Sequence, residues 1–212
     1  ETNNCPKPML NVLGKPILEH IILHAKDYGF YKFVISTYFL SKSIMDYFGN
    51  GEKLSVNISY IEEDKPLGTA GSLGNLKLRN NELVVIANGD VLTQVNYQEL
   101  LQFHIEKNNP ATIGARYFEM KNPFGVIESK NGILTNITEK PTYSSMINAG
   151  IYIIDNRVHN LVKTGEFLNI TDLLLKAKNK GMRVSIFPIY EPWLDVGQKK
   201  ELEQARKNFL GE

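Results

Sequence analysis

Apolar positions recur at helical spacing over Ile17, Leu18, Ile21, Ile22 and Ala25, which predicts a first helix. Pro16 suits its first position and Gly29 its C-terminal cap. A β-rich run follows at residues 33–37, Ser41 can cap a short helix ending near Gly49, and residues 56–61 alternate like a half-buried strand. Residues 83–87 form a short all-apolar run flanked by turn residues, the pattern of a central parallel strand covered on both faces. Asn96 caps a predicted helix ending near Lys107, after which the rhythm changes. Residues 111–118, 126–129, 133–138 and 147–154 read as strands with little helix between them. Thr171 is placed to cap a helix ending at Gly181, residues 183–189 alternate as a strand, and residues 198–209 read as a terminal helix.

Helical and strand patterns that alternate in this way give a parallel sheet with helices on both faces. The expected fold is α/β, a doubly wound, mostly parallel, Rossmann-like sheet joined to a strand-rich lobe. With no Pro- or Ser-rich linker and no internal repeat, residues 1–212 read as one domain of two lobes, 1–110 and 111–212. A chain of 212 residues can bury roughly 70% of its surface, enough for one substantial core. Hydrophobic residues make up 42% and charged residues 22%, and the formal net charge is +1, so nucleic acid is not the expected partner. Apolar runs such as 83–87 and 151–154 are too short to span a bilayer. The single cysteine, Cys5, cannot form an internal disulfide and no signal-like segment opens the chain, so the cytoplasm is the expected address. The sequons at Asn57, Asn136 and Asn169 are close to the roughly two that chance supplies. Because the chain opens at Glu1 without methionine, it is expected to be a piece of a longer polypeptide or a processed form.

Several residues carry candidate chemistry, each beside a plainer alternative. Asp90 follows residues 83–87, where open parallel sheets place ligand groups, but an Asn-Gly-Asp turn can simply cap a strand. Lys7 stands between Pro6 and Pro8, a stiffened setting for a phosphate-binding point charge or an ordinary solvated lysine. The run EEDKPLGTAGSLG places Gly68, Gly71 and Gly74 around Thr69, so that a ligand could approach the backbone, or a helix-entry turn form. It is neither a dinucleotide fingerprint nor a P-loop. Glu139 beside Lys140 can hold a sugar hydroxyl and a phosphate, or form a surface ion pair. Asp195, in the run WLDVG, is a second carboxylate or the N-cap of the terminal helix. His20 and His24 share a helix face, but Ile21 stands where a zincin helix carries glutamate, which favours packing over zinc.

In order, the motifs PKPML, GKPILEH, EEDKPLGTAG, NGD, FGVIE, EKP, NAGIY and WLDVG span nearly the whole chain. Together they resemble the sugar-phosphate nucleotidylyltransferases, most closely guanylyltransferases of hexosamine or mannose 1-phosphates, including forms with N-terminal CBS domains. The resemblance implies transfer of a nucleoside monophosphate, GMP from GTP first of all, to a sugar 1-phosphate. It makes 1–110 the nucleotide-binding lobe and 111–212 the sugar-phosphate-binding lobe. Lys7 would touch phosphate; Gly68, Thr69 and Gly89 would bind nucleotide; Asp90 and Asp195 would hold Mg2+; Gly125, Glu139, Lys140 and Asn148 would line the sugar phosphate. The implied partners are a nucleoside triphosphate, a sugar 1-phosphate, fused regulatory domains and a second copy of the chain.

Family members open with a strand and an arginine-bearing glycine-rich loop, which in this chain would precede Glu1. An N-terminal extension is therefore expected. Two other readings compete: a catalytically silent nucleotide-sugar-binding module, and a glycosyltransferase. The latter ordinarily needs an Asp-x-Asp pair, whereas position 92 is Leu92.

Overall fold

The computed structural model describes residues 5–196. A 3₁₀ turn at Lys7–Met9 leads into the hairpin β1 (Asn11–Val12) and β2 (Lys15–Pro16), then α1 (Ile17–Asp27). β3 (Lys32–Thr37), α2 (Ser41–Phe48) and β4 (Asn57–Glu62) follow, then β5 (Val84–Ala87), β6 (Val91–Thr93) and α3 (Tyr97–Lys107). The second half holds β7 (Ala111–Lys121), the hairpin β8 (Val126–Lys130) and β9 (Ile133–Thr138), and β10 (Thr142–Ile154). It continues through α4 (Asn156–His159), α5 (Ile170–Asn179), β11 (Val184–Pro188) and β12 (Trp193–Asp195). The terminal helix expected at 198–209 lies outside the described residues.

The largest sheet has the order β11-β7-β10-β5 and draws strands from both halves of the chain. β11 pairs parallel to β7, and β10 pairs antiparallel to both β7 and β5. β3 and β4 form a separate parallel pair, and β6 and β12 an antiparallel one. Alternation along β10 sends its side chains to two cores. Tyr152 and Ile154 pack with Leu173 and Ala177 of α5, while Ile151 and Ile153 pack with Tyr97 and Leu100 of α3 and Ala25 of α1. Helices thus cover both faces in a mixed α/β, Rossmann-like arrangement, as the sequence pattern anticipates. Each fully buried Ile or Leu contributes about 1.5–3 kcal/mol. No described helix is long and apolar enough to cross a membrane.

The structure corrects three expectations. The strand buried most fully is β10, throughout 149–154, whereas among the described residues β5 lies at the sheet edge with a single antiparallel partner and part-exposed side chains. An apolar run reports a demand for cover, and β10, unlike β5, has ladder partners on both sides among the described residues. α2 begins at Ser41 itself, with Leu40 in left-handed conformation at the cap position. α5 begins at Ile170, so Thr171 lies inside its first turn; the hydroxyl of the remote Thr69 accepts from Ile170 N–H at 2.9 Å. Asn96 does cap α3, accepting from the Gln98 and Glu99 N–H groups.

His104 is buried on α3, its Nδ1 2.8 Å from the Thr112 hydroxyl. Burial lowers its pKa below the ordinary 6.5, with Asp155 opposing and Arg157 reinforcing that direction. The unfolded chain then binds the proton more readily, so this contribution is present above pH about 6.5 and is lost as pH falls through the lowered folded value. Urea unfolding should show a midpoint that declines below pH about 6.5, with a shallower decline in His104→Gln. Equal slopes in the two proteins would contradict this assignment.

Candidate active site

β5 ends at Ala87, and the turn Asn88-Gly89-Asp90 carries the chain into β6. Across β6 runs β12, with Asp195 opposite Val91 and the Val196 N–H donating to the Asp90 carbonyl at 2.9 Å. This ladder brings Asp90 and Asp195, remote in the chain, within one residue of register. Leu92 is 2% exposed, packed with Val12, Ile17 and Val196, so the position that would carry the second acid of an Asp-x-Asp pair belongs to the core.

Gly89 meets the segment holding Lys7. A Cβ at Gly89 would stand 3.2 Å from Pro8 Cγ, so the missing side chain is what lets Pro8 lie on the turn. Pro6 precedes the Lys7–Met9 turn in extended conformation, and Lys7 is exposed. The segment that carries Lys7 thus packs on the turn that carries Asp90.

The third wall is a bulge in β10. Its register with β7 shifts between Asn148 and Tyr152, and the Asn148 carboxamide is spent inside the bulge. Its Oδ1 accepts from Gly150 N–H at 3.0 Å, and its Nδ2 donates to the Tyr152 hydroxyl at 2.6 Å. Burial raises the Tyr152 pKa, while this hydrogen bond acts in the opposite direction. Gly150 has φ +74°, and a Cβ there would fall 2.8 Å from Asn88 Nδ2; Asn88 N–H donates to the Gly150 carbonyl at 2.9 Å. Bulge and turn therefore hold each other.

On its other side the bulge is tied to β12, because Trp193 Nε1 donates to the Ala149 carbonyl at 2.8 Å. Arg116 of β7 completes the junction, with Nη1 donating to the Trp193 carbonyl at 3.2 Å and its guanidinium carbon 5.3 Å from the Trp193 ring centroid. Its Nε is buried without a hydrogen-bond partner. The sequence reading missed Arg116, since an arginine at one position of an alternating strand carries no motif.

The structure thus gathers Lys7, Gly89, Asp90, Asn148 and Asp195 around one turn, and leaves the remaining candidates in two further groups. Gly125 and Glu139 meet at the base of the β8–β9 hairpin, where a Cβ on Gly125 would lie 2.8 Å from Glu139 Oε2. Lys140 follows in left-handed conformation, and neither Glu139 nor Lys140 forms an ion pair among the described residues. Gly68 and Thr69 stand at the start of α5. Gly68 has φ +74° and its open side faces the Leu168 carbonyl, at 2.7 Å from an added Cβ, while Gly71 and Gly74 face the Glu166 and Lys163 carbonyls. All three glycines of this run admit the chain's own backbone. No hydrogen bond among the described residues ties either group to the Asp90 turn. His20 and His24 each bond a backbone carbonyl, of Val12 and Val95, which is the packing role expected of them.

Among the described residues no cluster of three or more His, Cys, Asp or Glu side chains could hold a metal ion. A carboxylate in the turn and one on the adjoining β12 nonetheless suit magnesium in kind, a hard cation that takes one or two protein carboxylates and completes its shell with water and phosphate oxygens.

Open α/β sheets hold their ligands beyond strand ends, and the turn after β5, with β12 alongside it, stands at such a position. The chain belongs to the nucleotidyl transferase family, whose profile matches residues 2–212. It is 28% identical over 229 residues to the UTP–glucose-1-phosphate uridylyltransferase of Synechocystis sp., covering 99% of this chain and 59% of that protein. It is 31% identical over 219 residues to the mannose-1-phosphate guanylyltransferase of Mycobacterium tuberculosis, covering 99% of this chain and 60% of that protein. The chain thus spans about three-fifths of the length of these relatives. The crystal structure of HddC from Yersinia pseudotuberculosis shares the fold, with a TM-score of 0.74 over 96% of this chain and 90% of that one, at 22% identity.

Gly150→Ala should destabilise the protein by about 1–3 kcal/mol, because a left-handed backbone and a contact with Asn88 both oppose the new methyl group. Urea unfolding measures this, and an unchanged midpoint would show that the bulge does not need glycine. Trp193 is the single tryptophan in the chain. Arg116→Ala should therefore shift its emission and raise its quenching by acrylamide, as the cation over the ring and the donor to its carbonyl are both lost. Unaltered emission and quenching would contradict the junction.

Proposed function

We propose that this protein transfers a nucleoside monophosphate, GMP from GTP first of all, to a sugar 1-phosphate, releasing pyrophosphate and forming a nucleotide-sugar. The observation that carries the reading is the β6–β12 ladder, which sets Asp195 beside the Asp90 turn on which the Lys7 segment rests. Family membership and relatives named as guanylyl- and uridylyltransferases of sugar 1-phosphates support the reaction class. The guanylyl preference rests on the motif resemblance and the guanylyltransferase relative, with uridylyl transfer as the competing choice.

In the proposed reaction a sugar-1-phosphate oxygen attacks the α-phosphorus in line, the bond to the β-phosphate bridging oxygen breaks, and that oxygen leaves with pyrophosphate. No protein nucleophile is required; the chain positions reactants and offsets their charge. Lys7 and Lys140 hold together anions that repel each other at close range. Gly68, Thr69 and Gly89 are proposed to lie along the nucleotide, and Gly125, Glu139, Lys140 and Asn148 along the sugar phosphate. Asp90 and Asp195 would hold Mg2+, which when bound neutralises polyphosphate charge and polarises the reacting phosphate.

The same reading extends to the sheet. β3 has only β4 as a ladder partner and β5 only β10, while Phe33 of β3 and Val85 of β5 lean on one core. Each strand therefore keeps an unpaired edge among the described residues. We propose that a strand preceding Glu1 pairs with these edges and brings a glycine-rich, arginine-bearing loop to the triphosphate.

The test is pyrophosphate release by the whole protein, given GTP, UTP or dTTP against a panel of sugar 1-phosphates. Release is expected, fastest with GTP, with Asp90→Asn and Asp195→Asn losing most of the rate at unchanged unfolding midpoints. No release with any nucleotide, or variants at full rate, would overturn the proposal.

A further inference from the structure

Arg116 places a positive charge where no described carboxylate meets it. The side chain is half-buried, and of the five N–H donors of a guanidinium one is used among the described residues, Nη1 on the Trp193 carbonyl at 3.2 Å. Nε is buried without a partner, and the group forms no ion pair among the described residues. A brace between β7 and β12 does not need this charge. Burying it without a counter-ion costs free energy that an uncharged side chain of similar reach would not. Buried unsatisfied donors are rare in folded proteins, and a ligand is one way in which they are completed.

The surroundings say which ligand fits. In the β7–β10 ladder Arg116 lies opposite Ile147 and Ala115 opposite Asn148, so Arg116 stands one register step from the bulge. Its guanidinium carbon is 5.3 Å from the Trp193 ring centroid, and that ring is itself held by the Ala149 carbonyl, which fixes the fork in place. Trp193 and Asp195 are two residues apart on β12, so they project from one face of that strand, about 7 Å apart along it. The stacked fork thus adjoins the face that carries a candidate carboxylate. A planar guanidinium fixed on an aromatic ring suits phosphate, which can take two of its N–H groups at once. Of the two phosphate-bearing substrates in the proposed reaction, the sugar 1-phosphate is the one assigned to Asn148 of β10, the strand that pairs with β7 at Arg116.

We propose that Arg116 is a further substrate-binding residue, with its unused Nη donors on the phosphate of the sugar 1-phosphate. The inference rests on the transfer reaction proposed above, and two measurements separate its failure from the failure of that reading. The first needs no turnover. Trp193, the single tryptophan, lies against the guanidinium, so inorganic phosphate and mannose 1-phosphate, each titrated without nucleotide at constant ionic strength, should change its emission saturably, and mannose should not. In the second, Arg116→Gln should raise KM for the sugar 1-phosphate about ten- to a hundred-fold and leave KM for GTP within about two-fold, with Arg116→Lys in between. A role confined to bracing β12 would instead lower kcat or raise both KM values, because Asp195 would move. Should Arg116→Gln fail to fold, Arg116→Lys, which keeps the charge and loses the fork, is read by the same split. Absence of turnover with every nucleotide would refute the transfer reaction and leave the emission titration to decide on Arg116. An emission that does not respond to phosphate, a KM for the sugar 1-phosphate unchanged by the substitution, or a rise in KM for GTP instead would overturn the proposal.

Discussion

The pairing of β6 with β12 is the constraint on which the candidate site depends. Asp90 sits in a turn and Asp195 at the end of a three-residue strand, and neither element could hold a carboxylate in place alone. The ladder joins them by backbone hydrogen bonds that no side-chain substitution removes, and Val196, 1% exposed, anchors the far end in the core with Leu92, Val12 and Ile17. The ladder sets the backbones of the two residues one register step apart.

That ladder is braced from the main sheet. Trp193 is bonded to the β10 bulge through its indole N–H and to β7 through Arg116, so a single side chain connects β12 to two strands of the four-stranded sheet. Gly150 connects the same bulge to the Asn88 side of the turn. The bulge is therefore an alignment device: two extra residues in β10 interrupt the ladder with β7 and let the backbone meet two flanking elements at once. Its cost is met locally, because the Asn148 carboxamide satisfies both the Gly150 N–H and the Tyr152 hydroxyl.

Much of this was legible in the sequence, for identifiable reasons. Helix and strand periodicity located α1, α3, α5, β7, β10 and β11 because those elements bury one stripe or one face, and the β-branched runs of β8 and β9 were legible although both strands lie largely exposed. The carboxylates and lysines each had an ordinary structural alternative, and they stood out only through the order of the motifs that carry them. What escaped was relational. Leu83 to Ala87 looks central by composition, yet its place in the sheet depends on which strands reach it. Thr69 lay in a glycine-rich run with nothing local to show that its hydroxyl caps a helix a hundred residues onward. The glycines of that run signalled close approach correctly, but the approaching backbone is residues 163–168 of the same chain. Arg116 was invisible for the same reason, since its partner Trp193 lies 77 residues onward, on β12.

The central claim is that Asp90 and Asp195 act on one cation as a pair, and a double-mutant cycle on metal binding tests it most directly. Mn2+ affinity, read by calorimetry in the presence of a non-hydrolysable nucleoside triphosphate, is compared among the unaltered protein, Asp90→Asn, Asp195→Asn and the double variant. A shared ion predicts strong coupling, with the double variant losing little beyond either single one. Losses that add independently, or no loss in either single variant, would contradict the account.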